Sequence, residues 1–167
     1  MSVYSRTSTY VVAATAVVLS ACSLLPGTPI PGPMPADFEI SVERGPCFGT
    51  CPVYTMTVRA DGTADYEGIR FVAAEGTRSA TLDQAQVERV YDAVVLTDFF
   101  ALQDRYEAQA TDLPSMSITV NMNGQTKTIY HYGLACNTEF DPAPSALCDL
   151  ETALDEIPLE QGWVSGP

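Results

Sequence analysis

Basic residues are scarce in this chain of 167 residues. Eight lysines and arginines stand against 21 aspartates and glutamates, and the formal net charge at pH 7 is −13. A surface of that sign repels nucleic-acid phosphates and anionic lipid headgroups, so we expect neither nucleic-acid binding nor electrostatic docking on a membrane. No lysine or arginine follows Lys127, whereas seven acidic residues do: Glu139, Asp141, Asp149, Glu151, Asp155, Glu156 and Glu160. We interpret them as a solvated acidic face, with a cation or a basic partner as the alternative.

Side chains for catalysis are equally sparse. His131 is the single histidine, and the sequence has no Ser-His-Asp arrangement, no glycine-rich phosphate loop and no His/Cys cluster with zinc spacing. The sequence therefore shows no set of residues suited to hydrolysis. We expect a protein that is not an enzyme and that holds no cofactor.

The sequence also lacks a hydrophobic run long enough for a transmembrane helix. The apolar stretch from Val11 to Leu25 falls short of the roughly 20 residues needed to cross a bilayer core of about 30 Å. It follows Arg6, and residues 11–19 have the length of the hydrophobic region of a signal peptide. An uncleaved anchor helix is the alternative, but no basic cluster flanks the stretch to stop translocation.

The stretch ends in Leu19-Ser20-Ala21-Cys22, which resembles the lipobox of bacterial lipoproteins. The resemblance implies that residues 1–21 are a signal peptide. It also implies that Cys22 becomes the lipidated N-terminus, held in the cell-envelope membrane by acyl chains such as palmitate. Ser23 follows that cysteine, and by the Gram-negative sorting rule it directs the protein to the outer membrane, facing the periplasm.

The rest of the chain divides into a tether and one domain. Residues 22–37 hold the lipidated cysteine and a proline-rich tether; the five prolines among residues 23–37 favour an extended segment of up to about 45 Å. Residues 38–163 contain no internal repeat and are enough for a single domain with a hydrophobic core. The tether would hold that domain clear of the membrane.

The domain mixes strand and helix patterns. Apolar and polar residues alternate at 38–42, 53–59 and 116–122, which predicts strands. Loops at 60–62 and 123–124 predict hairpins, and a further hairpin is expected between 70–73 and 77–80. Asp83 with Gln86 forms a capping box before one helix, and a second helix is expected from 141 to 157, stopped by Pro158. We predict an α+β domain in which two helices pack on one face of an antiparallel sheet.

The hairpin turns also predict which residues face each other. The expected pairs are Val58 with Ala64, Met56 with Tyr66, Met122 with Gln125, Val120 with Lys127, Ile118 with Ile129 and Met116 with His131. His131 then shares the apolar face, where we expect it to be partly buried and hydrogen-bonded. Tyr130 and Tyr132 fall on the other face, either as a polar-aromatic binding strip or as ordinary exposed aromatic residues.

The segment from Arg44 to Tyr54 contains the pattern C-x-G-x-C-P-x-Y. It resembles a bacterial family of exported proteins, domain of unknown function 6438. Further matching positions are Asp61-Gly62, Tyr66-Glu67-Gly68, Thr111-Asp112, Gly124, Lys127 and Tyr132-Gly133. The resemblance covers most of residues 38–163 and supports the α+β fold, but it implies no activity, cofactor or catalytic residue.

Four cysteines remain besides Cys22, an even number that favours disulfide bonds in an exported chain. Three connectivities are possible, and we favour the local one, Cys47–Cys51 and Cys136–Cys148. The chain-entropy model gives these bonds about 2 and about 3 kcal/mol of stabilisation, respectively.

A second interpretation of the first pair involves a metal. The spacing Cys47-x-x-x-Cys51-Pro52 is similar to that of Sco-type copper chaperones, and two thiolates with the imidazole of His131 would suit a copper ion. However, Pro52 leads into a β-branched strand and not into a helix, whose N-terminus would lower the pKa of the thiols. A structural disulfide is therefore favoured over a copper or thiol-redox site at Cys47, Cys51 and His131.

These observations together predict an envelope-anchored lipoprotein that is a non-enzymatic binding or structural module of unknown ligand. Its partners would be the membrane, through the lipid anchor, and another envelope protein. The alternative is a copper-binding or thiol-redox protein that uses the C-x-x-x-C-P motif.

Overall fold

The computed structural model describes residues 29–134 and 136–165. The proposed signal peptide, Cys22 and the first part of the tether lie outside these residues. The strands are β1 (Glu39–Arg44), β2 (Val53–Arg59), β3 (Thr63–Arg70), β4 (Gly76–Thr81), β5 (Arg105–Glu107), β6 (Ser115–Met122) and β7 (Gln125–Tyr132). The helices are α1 (Gln84–Leu96) and α2 (Ser145–Glu160), with a short 3₁₀ turn at Phe99–Ala101. Within the described residues, none of the helices has the length and apolar character needed to span a membrane.

The seven strands form one sheet in the order β4-β3-β2-β1-β6-β7-β5. All neighbouring pairs are antiparallel except β5 and β7, which run parallel. With two helices added, this confirms the predicted α+β class. Strand β5 was not predicted, because it has three residues and only Tyr106 among them is buried.

The predicted register of both hairpins is confirmed. Met56 pairs with Tyr66 across β2 and β3, and Met116 pairs with His131 across β6 and β7. The turn residues Asn123 and Gly124 both have positive φ, at 53° and 71°, as a two-residue hairpin of type I′ requires.

The third hairpin differs from the prediction. Residues 70–73 do not form a separate strand; β3 continues to Arg70, and β4 returns directly beside it. The intervening loop folds back over the sheet, where the amide of Ala74 donates to the carbonyl of Trp163 at 2.9 Å. The loop lies so close to β3 that a Cβ on Gly68 would be 2.0 Å from the Ala74 carbonyl oxygen.

One face of the sheet and one side of each helix form the core. Along β1, β2 and β6 every second residue is buried, and the helices contribute the rest of the apolar surface. Helix α1 begins with the predicted capping box, in which Asp83 accepts from the amide of Gln86 and the Gln86 side chain accepts from the amide of Asp83. Its predicted stripe is buried: Val87, Val90, Tyr91 and Val94.

Helix α2 is displaced from its predicted bounds at both ends. It begins at Ser145 and not near Asp141, because Pro144 disfavours helical backbone at Ala143. It also continues through Pro158 to Glu160. A proline this close to the C-terminus removes one helical hydrogen bond, and the carbonyl of Pro158 accepts from the amides of Trp163 and Val164. The predicted stripe is buried: Leu147, Leu150, Leu154 and Ile157.

The last residues before β1 contact the domain. The Tyr91 hydroxyl donates to the carbonyl of Pro33 at 3.3 Å. The Asp37 carboxylate accepts from the amides of Asn123 and Gly124 at 3.1 and 2.8 Å, and these hydrogen bonds lower the pKa of Asp37. The proline-rich segment is therefore fixed at its C-terminal end, on α1 and on the β6–β7 turn.

Candidate functional site

A row of side chains crosses the sheet at one end. Tyr54 lies opposite Arg44, Arg44 opposite Met116, and Met116 opposite His131, so that β2, β1, β6 and β7 each contribute one residue. Side chains along a strand alternate between the two faces of the sheet, and these four lie on the face that packs against the helices. Helix α2 passes over this row and adds two carboxylates one turn apart.

His131 lies between two carboxylates in the interior. Its Nδ1 is 2.7 Å from Oε1 of Glu151, and its Nε2 is 3.1 Å from Oδ2 of Asp141. All three side chains are buried, with His131 only 2% exposed. Burial disfavours the charged imidazolium, but the hydrogen bonds and charges of Glu151 and Asp141 outweigh it, and the pKa of His131 is raised. The group is thus a buried hydrogen-bonded network in which the two carboxylates favour protonation of the ring, and the ring is closed off from substrate.

The backbone around this network is closely fitted. The Asp141 carboxylate also accepts from the amide of Ala143 at 3.2 Å, which holds the loop before α2 against the sheet. Gly133 directly follows β7, and a Cβ there would lie 2.0 Å from Oδ2 of Asp141 and 2.5 Å from Nε2 of His131. A glycine is therefore needed here for space.

Arg44, Asp155 and Tyr54 form the second polar group. Asp155 Oδ1 accepts from Nε of Arg44 at 3.0 Å and from the hydroxyl of Tyr54 at 2.7 Å, and Oδ2 accepts from Nη2 of Arg44. Burial disfavours charge on Arg44, but the Asp155 carboxylate outweighs this and raises the pKa of Arg44. Burial and the same carboxylate raise the pKa of Tyr54 far above its ordinary value, so the phenol stays protonated and donates.

This second group forms the floor of an open cleft of about 910 Å³. One wall is the disulfide loop from Cys47 to Pro52, and another is Phe71 with the chain after α2. Further lining residues are Pro114, Leu134, Leu159, Val164 and Ser165. The cleft has the size of a small-ligand or peptide site, with apolar walls and a few convergent polar groups.

Large apolar side chains stand exposed around this cleft. Phe48 is 86% exposed, Leu134 is 69% exposed and Phe71 is 49% exposed. Exposed apolar side chains around a cleft are typical of interaction sites in proteins. The cleft therefore has the features of a candidate binding site.

One of the domain's two described disulfide bonds, Cys47–Cys51, lines the cleft. The structure pairs Cys47 with Cys51 and Cys136 with Cys148, with Cα–Cα distances of 5.8 and 5.9 Å, which confirms the predicted local connectivity. The first bond closes the loop that carries Phe48, and the Phe48 amide also donates to the carbonyl of Asp112 at 3.1 Å. Phe48 is thus presented on a constrained loop.

The residues considered for copper do not come together. Cys47 and Cys51 are bonded to each other, and both ring nitrogens of His131 contact carboxylates. Across residues 29–134 and 136–165, no group of three or more His, Cys, Asp or Glu side chains is arranged to hold a metal ion. Cys22, the proposed lipidation site, lies outside the part of the chain that the structure describes.

Neither polar group is predicted from the sequence, and the expectation of a solvated acidic face is wrong for Asp141 and Glu151. Asp141 and Glu151 are buried partners of His131 and do not belong to a solvated face, whereas Asp155 is part-exposed and paired with Arg44. The signal that was available is the position of Glu151 and Asp155. They are four residues apart, and each directly follows a leucine of the buried stripe on α2.

The two tyrosines on the opposite face of β7 are each engaged within the domain. The Arg105 guanidinium lies over the Tyr130 ring at 4.3 Å, and the Tyr132 hydroxyl accepts from the amide of Leu113 at 3.1 Å. Both tyrosines therefore have contacts within the domain. These contacts give no support to the polar-aromatic binding strip, which was one of the two alternatives from the sequence.

Comparison with known proteins identifies the family and nothing beyond it. No curated protein matches the chain. A family model described as "Domain of unknown function (DUF6438)" matches residues 38–158, which covers the strands, both disulfides and α2 almost to its end. The chain therefore belongs to this family, domain of unknown function 6438.

Proposed function

We propose that this protein is a non-enzymatic binding module that holds an apolar segment of a partner polypeptide in the cleft beside the Cys47–Cys51 loop. The observation that carries the proposal is the exposure of Phe48, Phe71 and Leu134 around a cleft whose floor is polar and ordered. Aromatic residues that become buried at the centre of an interface supply much of its binding energy.

The disulfide supports this role because it reduces the cost of binding. Ordering a flexible loop or a rotamer-rich side chain opposes association, whereas a loop that is already fixed loses little entropy. The loop with Phe48 is closed by Cys47–Cys51 and held by the Asp112 carbonyl. A partner would therefore meet an apolar side chain whose backbone is already in place.

We further propose that the module is anchored to the bacterial envelope through acyl chains on Cys22, facing the periplasm from the outer membrane. The Leu19-Ser20-Ala21-Cys22 sequence and the prolines after it support this placement. With the last tether residues fixed on α1 and on the β6–β7 turn, the cleft would work at a limited distance from the membrane.

Intact mass measurement on protein purified from native envelopes tests the anchor. We expect a chain that begins at Cys22 and carries the added mass of acyl groups. Protein in which Cys22 is replaced by serine should carry no acyl mass and should keep its leader. An intact leader on the native protein, or a free thiol at Cys22, would contradict the proposed anchor.

Substitutions in the cleft test the binding role. Peptides that bind the domain are selected from a displayed random library, and their affinities are measured by fluorescence anisotropy. Phe48→Ala should weaken binding by about 30-fold, the effect of a hot-spot residue worth about 2 kcal/mol. Ile69→Ala is the matched control, because Ile69 is 54% exposed on the opposite face of the sheet. Equal affinities of wild type and Phe48→Ala for all selected peptides would reject the cleft as the binding site.

The alternative function uses Cys47 and Cys51 as thiols for copper or redox chemistry. Both cysteines are part-exposed at the cleft wall, so reductant can reach their bond. Thiol counting on anaerobically purified protein, followed by copper titration, separates the two functions. Four oxidised cysteines and no copper uptake favour the binding module, whereas two free thiols that bind one copper ion favour the alternative.

A further inference from the structure

We propose that the polypeptide segment bound in the cleft carries a lysine or arginine, whose cation pairs with Asp155 on the cleft floor. This inference rests on the proposed function and specifies its ligand.

The Asp155 carboxylate has acceptor capacity left. A carboxylate offers about four lone-pair sites. Oδ1 accepts from Nε of Arg44 and from Tyr54, while Oδ2 accepts from Nη2 of Arg44. One site therefore remains, on Oδ2. The Asp155 side chain is 37% exposed and that of Arg44 is 17% exposed, so a ligand reaching the floor meets the carboxylate more readily than the guanidinium.

The net charge of the chain favours a cation as well. Leu159 lines the cleft beside Asp155, and it is flanked on α2 by Glu156 and Glu160. Arg89 pairs with both of these glutamates, at 3.4 and 2.9 Å, on the side toward α1. Arg70, a guanidinium at the rim, stacks on Phe71 at 5.5 Å and is not a lining residue. With a formal charge of −13, the chain as a whole attracts cationic partners.

The same charges disfavour two other occupants. A second copy of the chain brings another −13, and an anionic lipid surface brings dense negative charge, so both are repelled. A lysine or arginine among apolar residues fits both features of the cleft. Its aliphatic stem packs along the apolar walls, and its charged end reaches the carboxylate.

The test uses displayed libraries of nine-residue peptides with apolar flanks and a fully varied central position. With wild-type protein, we expect lysine and arginine to be enriched at least tenfold over glutamine at the centre, and aspartate and glutamate to be depleted. Asp155→Asn keeps the shape of the side chain and removes its charge, so it should reduce the enrichment to less than twofold. Asp149→Asn, an exposed acid on the same helix but outside the cleft, should leave the enrichment unchanged.

The possible failures are distinguishable. Suppose that the peptides lose affinity with Phe48→Ala but show no preference for lysine or arginine at the central position. This result would overturn the inference and leave the proposed function intact. Peptides that bind without any dependence on Phe48 would overturn both. Phosphatidylglycerol vesicles that bind the protein and compete with the peptides would overturn the inference in favour of a membrane surface. Thermal unfolding of each variant confirms that the altered protein is folded.

Discussion

Replacing His131 with leucine is expected to lower the free energy of unfolding by about 3–5 kcal/mol, the effect of breaking a buried ion network by removing one partner. The imidazole is sandwiched between Glu151 at 2.7 Å and Asp141 at 3.1 Å, and both carboxylates are buried. Leucine fills the space but satisfies neither of them. Two buried carboxylates would then lose the imidazole that lies between them.

The cost of this substitution should depend on pH in a defined direction. The pKa of His131 is raised above its ordinary value of 6.5, because the hydrogen bonds and charges of Glu151 and Asp141 outweigh burial. A group whose pKa is higher in the folded state contributes its full stabilisation below the unfolded pKa and loses it as pH rises through the folded pKa. The difference in stability between wild type and His131→Leu should therefore be largest in mild acid and shrink at alkaline pH.

Urea unfolding between pH 5 and pH 9 measures this difference. Asp37 and Asp65, whose pKa values are lowered from 3.8, lose their contributions only below this pH range, and they do so equally in both proteins. Glu139→Gln, an exposed substitution in the same loop region as Asp141, should change stability by less than about 0.5 kcal/mol. A cost for His131→Leu that is constant across this pH range would show that the ring is not charged in the folded state.

The sequence predicts those parts of the fold that depend on residues close together in the chain. Side chains alternate with a period of two, and the Asn123-Gly124 turn allows one register, so Met116 opposite His131 follows directly. The capping box at Asp83 and the local disulfides depend on residues that are close in sequence. Each of these features needs little information about the rest of the molecule.

The ion network around His131 depends on long-range packing, and the sequence does not specify it in advance. Its members come from β7, from the loop before α2 and from α2 itself. Periodicity places Glu151 at the border of the apolar stripe, where a carboxylate is normally solvated. It becomes internal because α2 crosses the sheet above the row that contains His131. That crossing is a property of the assembled layers.

The cleft could not be predicted from the sequence for a related reason. It forms where the disulfide loop, the loop at Phe71 and the chain after α2 meet at one end of the sheet. Loops have no periodicity that indicates where they pack, and the exposure of Phe48 is visible only once its neighbours are placed. The C-x-G-x-C-P-x-Y pattern lies in one wall of the cleft, but the pattern itself predicts neither a cleft nor its other walls.

Gly133→Ala is expected to lower the free energy of unfolding by about 3 kcal/mol, through crowding in the interior and displacement of the ion network. The added Cβ would lie 2.0 Å from Oδ2 of Asp141 and 2.5 Å from Nε2 of His131. The φ of Gly133 lies outside the left-handed region, so alanine introduces no backbone strain and the cost is steric. Gly32→Ala is the matched control, because a Cβ at Gly32 meets nothing within 4 Å, and it should change stability by less than about 0.5 kcal/mol.

A double-mutant cycle with Asp141→Ala identifies the cause of this cost. Removing the carboxylate takes away the atom closest to the new Cβ, so Gly133→Ala should cost at least about 1 kcal/mol less in the Asp141→Ala background. The imidazole also loses one of its two carboxylates in that background, and its pKa should fall toward the ordinary value. Additive costs in the cycle would contradict the steric argument, since they would mean that Gly133 and Asp141 do not act on each other. Coupling accompanied by a smaller pH dependence would show that the absence of a side chain at Gly133 leaves room for the contact between Asp141 and His131.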